Sequence, residues 1–101
     1  MTKKLSNVPP IHPGETLRED FLAPLELSVH KLAMELHVPV TRINDIVRGR
    51  RSITADTALR LGRYFGISPQ FWINLQGNYD LERAKDVAGE QIERRVRPRV
   101  A

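Results

Sequence analysis

Apolar and polar positions follow one another along this chain with a period of three to four residues, and no stretch alternates with the period of two that a half-buried strand needs. The pattern predicts five helices. His12-Pro13 starts the first, because proline at the first helical position loses no hydrogen bond. Leu17, Phe21 and Leu22 form its apolar face, Glu15, Arg18, Glu19 and Asp20 lie mostly outside it, and Pro24 is expected to end it. Ser28 is a good N-cap for a second helix, Val29 to Leu36, with Leu32, Ala33 and Leu36 on its apolar face. His37-Val38-Pro39 breaks the pattern after barely two turns. A third short helix, about Val40 to Arg48, turns Ile43, Ile46 and Val47 inward and leaves Thr41, Arg42, Asn44, Asp45 and Arg48 outside, and Gly49 ends it. Thr54 is expected to cap the fourth, in which Ala55, Ala58, Leu59, Gly62 and Phe65 follow helical spacing until Gly66. Ser68-Pro69 begins the fifth. It has a core face of Phe71, Trp72, Leu75 and Tyr79 and a thinner apolar stripe of Ile73, Gly77, Leu81 and Ala84.

The fold class this predicts is all-α, a five-helix domain over residues 12–88. An extended arm, residues 1–11, precedes it, and a basic, loosely ordered tail, residues 89–101, follows. A length of 101 residues suits one domain, and the 41% hydrophobic and 28% charged content is ordinary for a folded one. The absence of cysteine excludes disulfides, cysteine-ligated zinc and thiol catalysis, and it suits a reducing cytoplasm. No apolar run approaches the roughly 20 residues needed to cross a bilayer, so no membrane association is expected. Met1 to Pro10 carries two lysines and no apolar stretch, and is not expected to be a signal peptide.

Little here suggests catalysis. His12, His30 and His37 have no metal-ligand spacing, no glycine-rich loop is present to cradle phosphate, and no serine sits in a nucleophile elbow. No catalytic residue, metal or cofactor is therefore expected. The net charge of +4 favours an acidic partner such as nucleic acid, and the distribution sharpens this. Basic residues cluster at Arg48, Arg50 and Arg51 and again at Arg94, Arg95, Arg97 and Arg99, whereas acidic ones concentrate at Glu15, Glu19, Asp20 and along Asp80 to Glu93. The second basic cluster reads as a solvated tail.

The segment from Val29 to Arg48 holds the sharpest signal: two short helices with a three-residue break. In a helix-turn-helix the first helix braces a second whose exposed face enters the major groove. That packing needs a small residue where the helices cross, an apolar plug after the turn and apolar anchors on the second helix. Ala33, Val38, and Ile43 with Ile46 fill these places. The segment resembles the helix-turn-helix of phage-repressor-like (lambda-repressor-like, XRE-class) regulators. With its flanks it resembles the HigA antitoxin family, also called VapI. The narrower match rests on Ile11-His12-Pro13-Gly14-Glu15, Val38-Pro39, Thr41-Arg42-Ile43-Asn44, Ile53 to Leu61, Phe71-Trp72-Ile73-Asn74-Leu75-Gln76 and Tyr79-Asp80-Leu81. Two positions depart from the common pattern, His37 for a turn glycine and Pro39 for a hydroxyl cap. Histidine tolerates a left-handed backbone better than most residues.

The resemblance implies an operator-binding antitoxin that blocks a cognate HigB-type messenger-RNA endonuclease toxin and represses its own operon. A stand-alone XRE-type regulator without a toxin is the alternative, and a short basic open reading frame next to the gene would favour the first. The resemblance places Val40, Thr41, Arg42 and Asn44 at the exposed start of the recognition helix. There arginine suits guanine, asparagine suits adenine, and valine or a threonine methyl suits thymine. Arg48, Arg50 and Arg51 are better placed for phosphates, and His30 and Lys31 for the DNA backbone beside the bracing helix. One short helix reads too few base pairs to find an operator, so a homodimer on an inverted repeat of double-stranded DNA is expected. The Ile73, Gly77, Leu81, Ala84 stripe is expected to form the dimer surface, the alternative being that it continues the core or lies partly exposed.

Overall fold

The computed structural model describes residues 9–100; most of the expected arm, residues 1–8, and Ala101 lie outside the described residues. Among the described residues the chain forms five helices and no strand. The first, α1, covers residues 13–25. His12 caps it, its Nδ1 accepting the Gly14 N–H at 2.8 Å. Pro24 lies inside α1 and does not end it, contrary to the sequence expectation. Leu17–Leu22 is wound as a π-helix, so that the Ala23 N–H reaches the Arg18 carbonyl five residues back. In a regular α-helix a proline ring strikes the carbonyl four residues earlier, and the wider turn relieves that clash. The helix ends when Glu26 takes a left-handed backbone (φ 52°), and the Leu27 N–H bonds the Leu22 carbonyl at 2.9 Å.

Helix α2, Val29–Leu36, starts where Ser28 Oγ accepts the Lys31 N–H at 3.0 Å. It stops at His37, whose left-handed φ of 60° lets the Val38 N–H return to the Ala33 carbonyl. Helix α3, Val40–Val47, follows after a three-residue break, His37 to Pro39. Gly49, at φ 75°, closes α3 and lets the Arg50 N–H reach the Asp45 carbonyl at 2.8 Å. Helix α4 is Ala55–Phe65. Thr54 occupies its N-cap position with extended backbone, yet its hydroxyl makes no capping bond. The buried face of α4 is Thr57, Ala58, Leu61 and Gly62, while Leu59, expected inward, is 62% exposed. Leu59 and Leu61 belong to two overlapping apolar registers of one helix. Packing on α2 and on the last helix selects the register that contains Leu61.

Helix α5, Pro69–Arg95, is the longest, and at 1.5 Å per residue its 27 residues span about 40 Å. It continues past Gly89 to Arg95, so residues 89–95, expected in a loose tail, are helical, and only residues 96–100 lie outside regular structure. Residues 85–95 bury no large apolar side chain, Val87 and Ile92 being exposed, and their sparse apolar positions are why the sequence pattern missed them. They are rich in good helix formers, carry surface pairs such as Lys85 with Glu82 and Arg94 with Glu90, and end in two arginines that favour the negative end of the helix dipole. No helix among the described residues is long and apolar enough to cross a membrane.

The core lies where α1, α4 and the first turns of α5 meet. Trp72 is fully buried, its ring 5.0 Å from those of Phe21 and Phe71, and Phe65 completes the cluster against Phe21 at 4.9 Å. Leu32, Ala33, Leu36, Ile43 and Ile46 extend the same core beneath the helix-turn-helix. Leu17 joins them from α1. Gly14 allows α1 to touch the last turn of α3: a Cβ there would lie 1.7 Å from the Ile46 carbonyl oxygen. Gly14→Ala should therefore destabilise the fold by about 1–3 kcal/mol despite alanine's better helix propensity. Gly89→Ala, whose Cβ meets only Lys85 at an ordinary 3.7 Å, should instead stabilise α5 by about 0.5–1 kcal/mol. Urea unfolding followed by circular dichroism checks both signs.

Candidate nucleic-acid interface

Helix α3 is amphipathic in the sense a groove-reading helix requires. Ile43 and Ile46 are fully buried and Val47 nearly so, and Ala33 beneath them lets α2 approach closely. The opposite face presents Val40, 37% exposed, and Thr41, exposed, with Arg42 and Asn44 half-buried beside them. Pro39 stands at the N-cap and supplies no side-chain acceptor, so the first N–H groups of α3 are left to the Pro39 carbonyl and to whatever lies in front of the helix. His30 and Lys31 are exposed on the first turn of α2, with Lys31 3.2 Å from Glu35.

Arg42 is held in a way its sequence position does not suggest. Its Nη1 donates to Asp56 Oδ2 at 2.7 Å and lies 3.5 Å from Thr57 Oγ1, across to α4. The same carboxylate oxygen accepts Arg60 Nε at 2.9 Å, and Arg60 Nη1 donates to the Leu36 carbonyl at the end of α2, at 2.8 Å. Hydrogen bonds from Arg60, and after it Arg42, hold the Asp56 carboxyl below its ordinary value, so it is ionised at neutral pH. Arg42, Arg51, Ser52, Thr54, Asp56, Thr57 and Arg60 line an open cleft of about 520 Å³ between α3 and α4. Asp56 and Arg60 were not among the expected site residues. The signal available for them is their i, i+4 spacing, which describes only a surface pair.

Past α3, Arg48, Arg50 and Arg51 stand together on one exposed loop. Asp45 lies 3.6 Å from Arg50, whereas Arg48 and Arg51 make no ion pair among the described residues. The loop is fixed at its far side by Ile53, buried, whose N–H donates to Gln76 Oε1 at 2.8 Å, and Gln76 Nε2 in turn donates to Asp80 at 2.9 Å. Gln76 was missed as well, although a lone amide on the buried stripe of α5, four residues after Trp72, is a visible anomaly. His12 adds a second tie, bonding the Arg51 backbone and stacking edge-on to Tyr79 at 4.8 Å. On α5 the second stripe is divided: Ile73 packs partly on the core, whereas Gly77, Leu81 (57% exposed) and Ala84 face outward. No cluster of acidic or histidine side chains among the described residues is arranged to hold a metal ion.

A helix-turn-helix family model matches residues 17–72, which takes in the core, both short helices and the basic loop. The chain belongs to this helix-turn-helix family, of the XRE type. It is 59% identical over 80 residues to virulence-associated protein I of Dichelobacter nodosus, covering 79% of this chain and 74% of that protein. Among solved structures it is similar to the antitoxin HigA of Pseudomonas aeruginosa with the higBA promoter, with a TM-score of 0.88 and 50% identity, covering 90% of this chain and 99% of that one. The antitoxin GraA in complex with its operator gives a TM-score of 0.88 at 39% identity, covering 98% of this chain and all of that one. The family's members are DNA-binding regulators and antitoxins, and this protein is one of them, not an enzyme.

The cap that orients α1 and the Arg51 loop titrates. Burial lowers the pKa of His12 below 6.5, against the opposing pull of Asp80 and of its bond to the Arg51 backbone. The unfolded chain then binds the extra proton first, so stability is complete above about pH 6.5 and falls as the pH drops below it. A protonated Nδ1 also cannot accept the Gly14 N–H. His12→Asn, which keeps a capping acceptor without titrating, should flatten the stability profile between pH 6.5 and 5, as measured by thermal melts across that range. An equally steep profile in the variant would place the effect elsewhere.

Proposed function

We propose that this protein is a cytoplasmic antitoxin that binds its own operator as a homodimer, represses its operon and neutralises a cognate HigB-type messenger-RNA endonuclease. The observation that carries this reading is the exposed polar face of α3, presented beside a basic loop, in a chain that matches HigA with the higBA promoter and operator-bound GraA over nearly their whole length. Val40, Thr41, Arg42 and Asn44 read base edges. Arg48, Arg50 and Arg51, with His30 and Lys31 on the bracing helix, sit against phosphates and give affinity without sequence. Two copies meet through the outward part of the α5 stripe, Gly77, Leu81 and Ala84, with Ile73 at its inner edge. Two-fold symmetry then sets half-sites about 34 Å, roughly 10 base pairs, apart.

Fluorescence anisotropy on the protein's own upstream DNA and on random duplex tests the interface. Asn44→Ala should weaken operator binding by about 1–3 kcal/mol and leave random DNA unaffected. Equal losses on both would remove Asn44 from the bases. Leu81→Glu should convert the dimer to a folded monomer by light scattering and lose most operator affinity; a mutant that stays dimeric would contradict the α5 interface. For the antitoxin role, co-expression should restore growth to cells producing the protein of an adjacent short basic open reading frame. Growth arrest that persists despite soluble expression of both would leave a regulator without a toxin.

A further inference from the structure

Resting on the reading of Arg42 as a base-contacting side chain, we propose that Asp56 is a specificity-determining positioning residue. Its carboxylate holds the Arg42 guanidinium by one nitrogen and presents the remaining edge to a guanine of the operator. Three observations carry this. Arg42 uses only Nη1 within the protein, toward Asp56 at 2.7 Å and, more weakly, Thr57 at 3.5 Å, so Nε and Nη2 keep no partner among the described residues. Those two nitrogens form the side of the guanidinium that grips two acceptors at once, such as O6 and N7 of guanine. The anchor is itself immobilised, because Arg60 bonds the same Asp56 oxygen from one turn along α4 and reaches the Leu36 carbonyl of α2. Asp56 is therefore tied to both helices that flank α3 and cannot follow Arg42 as a loose counter-ion would. Finally, the Arg42 side chain is 28% exposed whereas that of Arg50, although near Asp45, is 59% exposed, so Arg42 is the more confined of the two.

Confinement matters twice. A long side chain that is already ordered loses less freedom on binding, which favours the one partner that fits its fixed geometry. A carboxylate at the protein–DNA boundary also repels phosphate, so it works against every sequence equally while aiding only the matching one. The prediction is a residue that raises the ratio of operator to random affinity without raising affinity for DNA in general.

The test compares the full-length protein with Arg42→Ala, Asp56→Asn and the double variant on operator and on random duplexes of equal length. Asp56→Asn should lower the operator-to-random ratio about tenfold, with random binding unchanged or tighter, and the double variant should be no less specific than Arg42→Ala alone. A purely structural role for Asp56 would weaken both DNAs together, and a merely competing role would tighten both; either result overturns the proposal. Full additivity of the two substitutions would overturn it as well. If Arg42→Ala lowers the ratio while Asp56→Asn leaves it unchanged, only the positioning role falls. If Arg42→Ala itself leaves the ratio unchanged, the base-contact reading of Arg42 falls with it. Should Asp56→Asn fail to fold, Asp56→Glu keeps the charge and displaces it by one methylene. It should lower the ratio several-fold, and an unchanged ratio would overturn the proposal.

Discussion

An eight-residue helix has almost no stability of its own in water, because nucleating one turn fixes several residues for a single hydrogen bond. Helix α3 is such a helix, and the fold is arranged to hold it at both ends. At its start, the left-handed turn at His37 delivers the chain from α2, and Arg42 is tied to α4 through Asp56. At its end, the absent side chain of Gly14 lets α1 lie directly on the Ile46 carbonyl, and Gly49 turns the chain away. Between the ends, Ile43 and Ile46 are pressed into the core that Trp72 completes. A side chain on this helix is therefore positioned by the whole domain. The polar face left over is small, and each residue on it stands at a defined height and angle.

The positive charges divide along the same lines. Arg42 and Arg60 are spent on a carboxylate and on backbone carbonyls, and they fix geometry. Arg48 and Arg51 have no ion-pair partner among the described residues, and the loop that carries them is pinned at Ile53 by Gln76 and at Arg51 by His12. An exposed arginine without an ion pair, on a pinned loop, is unrestrained by a charge partner at its tip and fixed at its root. That suits a diffuse, salt-sensitive interaction with phosphate, as the confined Arg42 suits a directional one with a base. Asp45 softens Arg50 between these extremes.

The sequence predicted the helix-turn-helix nearly residue by residue, because its boundaries are local. Ser28 caps α2, His37 tolerates the left-handed turn, Gly49 closes α3, and the inward triplets Leu32–Ala33–Leu36 and Ile43–Ile46–Val47 are unambiguous. Errors arose where the deciding interaction is either a change of helical register or distant in sequence. Pro24 is accommodated by a π turn that no propensity rule anticipates. The face of α4 is chosen by packing, since Leu59 and Leu61 each complete an apolar register. Residues 85–95 are helical through propensity, pairing and continuity with the helix before them, which a search for apolar periodicity does not weigh. The candidate interface was legible as a list of polar positions. Its restraint was not, because Arg42 and Asp56 are 14 residues apart and a pairing at that separation appears only in the folded chain.

Helix α5 explains why these local arrangements bear on one another. Its first turns put Trp72 in the core, the next bonds Gln76 to the loop after α3, the one beyond sets Tyr79 against the cap of α1, and only then does Leu81 emerge to solvent. A helix bends little over such a length, so the direction of its outer half is fixed relative to α3 by the contacts of its inner half. In the dimer proposed above, a second copy meeting that outer half is thereby set at a definite angle and distance from the first recognition helix. On that proposal the spacing of two half-sites depends on Gln76 and Tyr79 as much as on the residues proposed to touch the partner. A change at Gln76 would loosen the basic loop and the bearing of α5 together, which couples the proposed phosphate contact to the geometry of the proposed assembly through one buried amide.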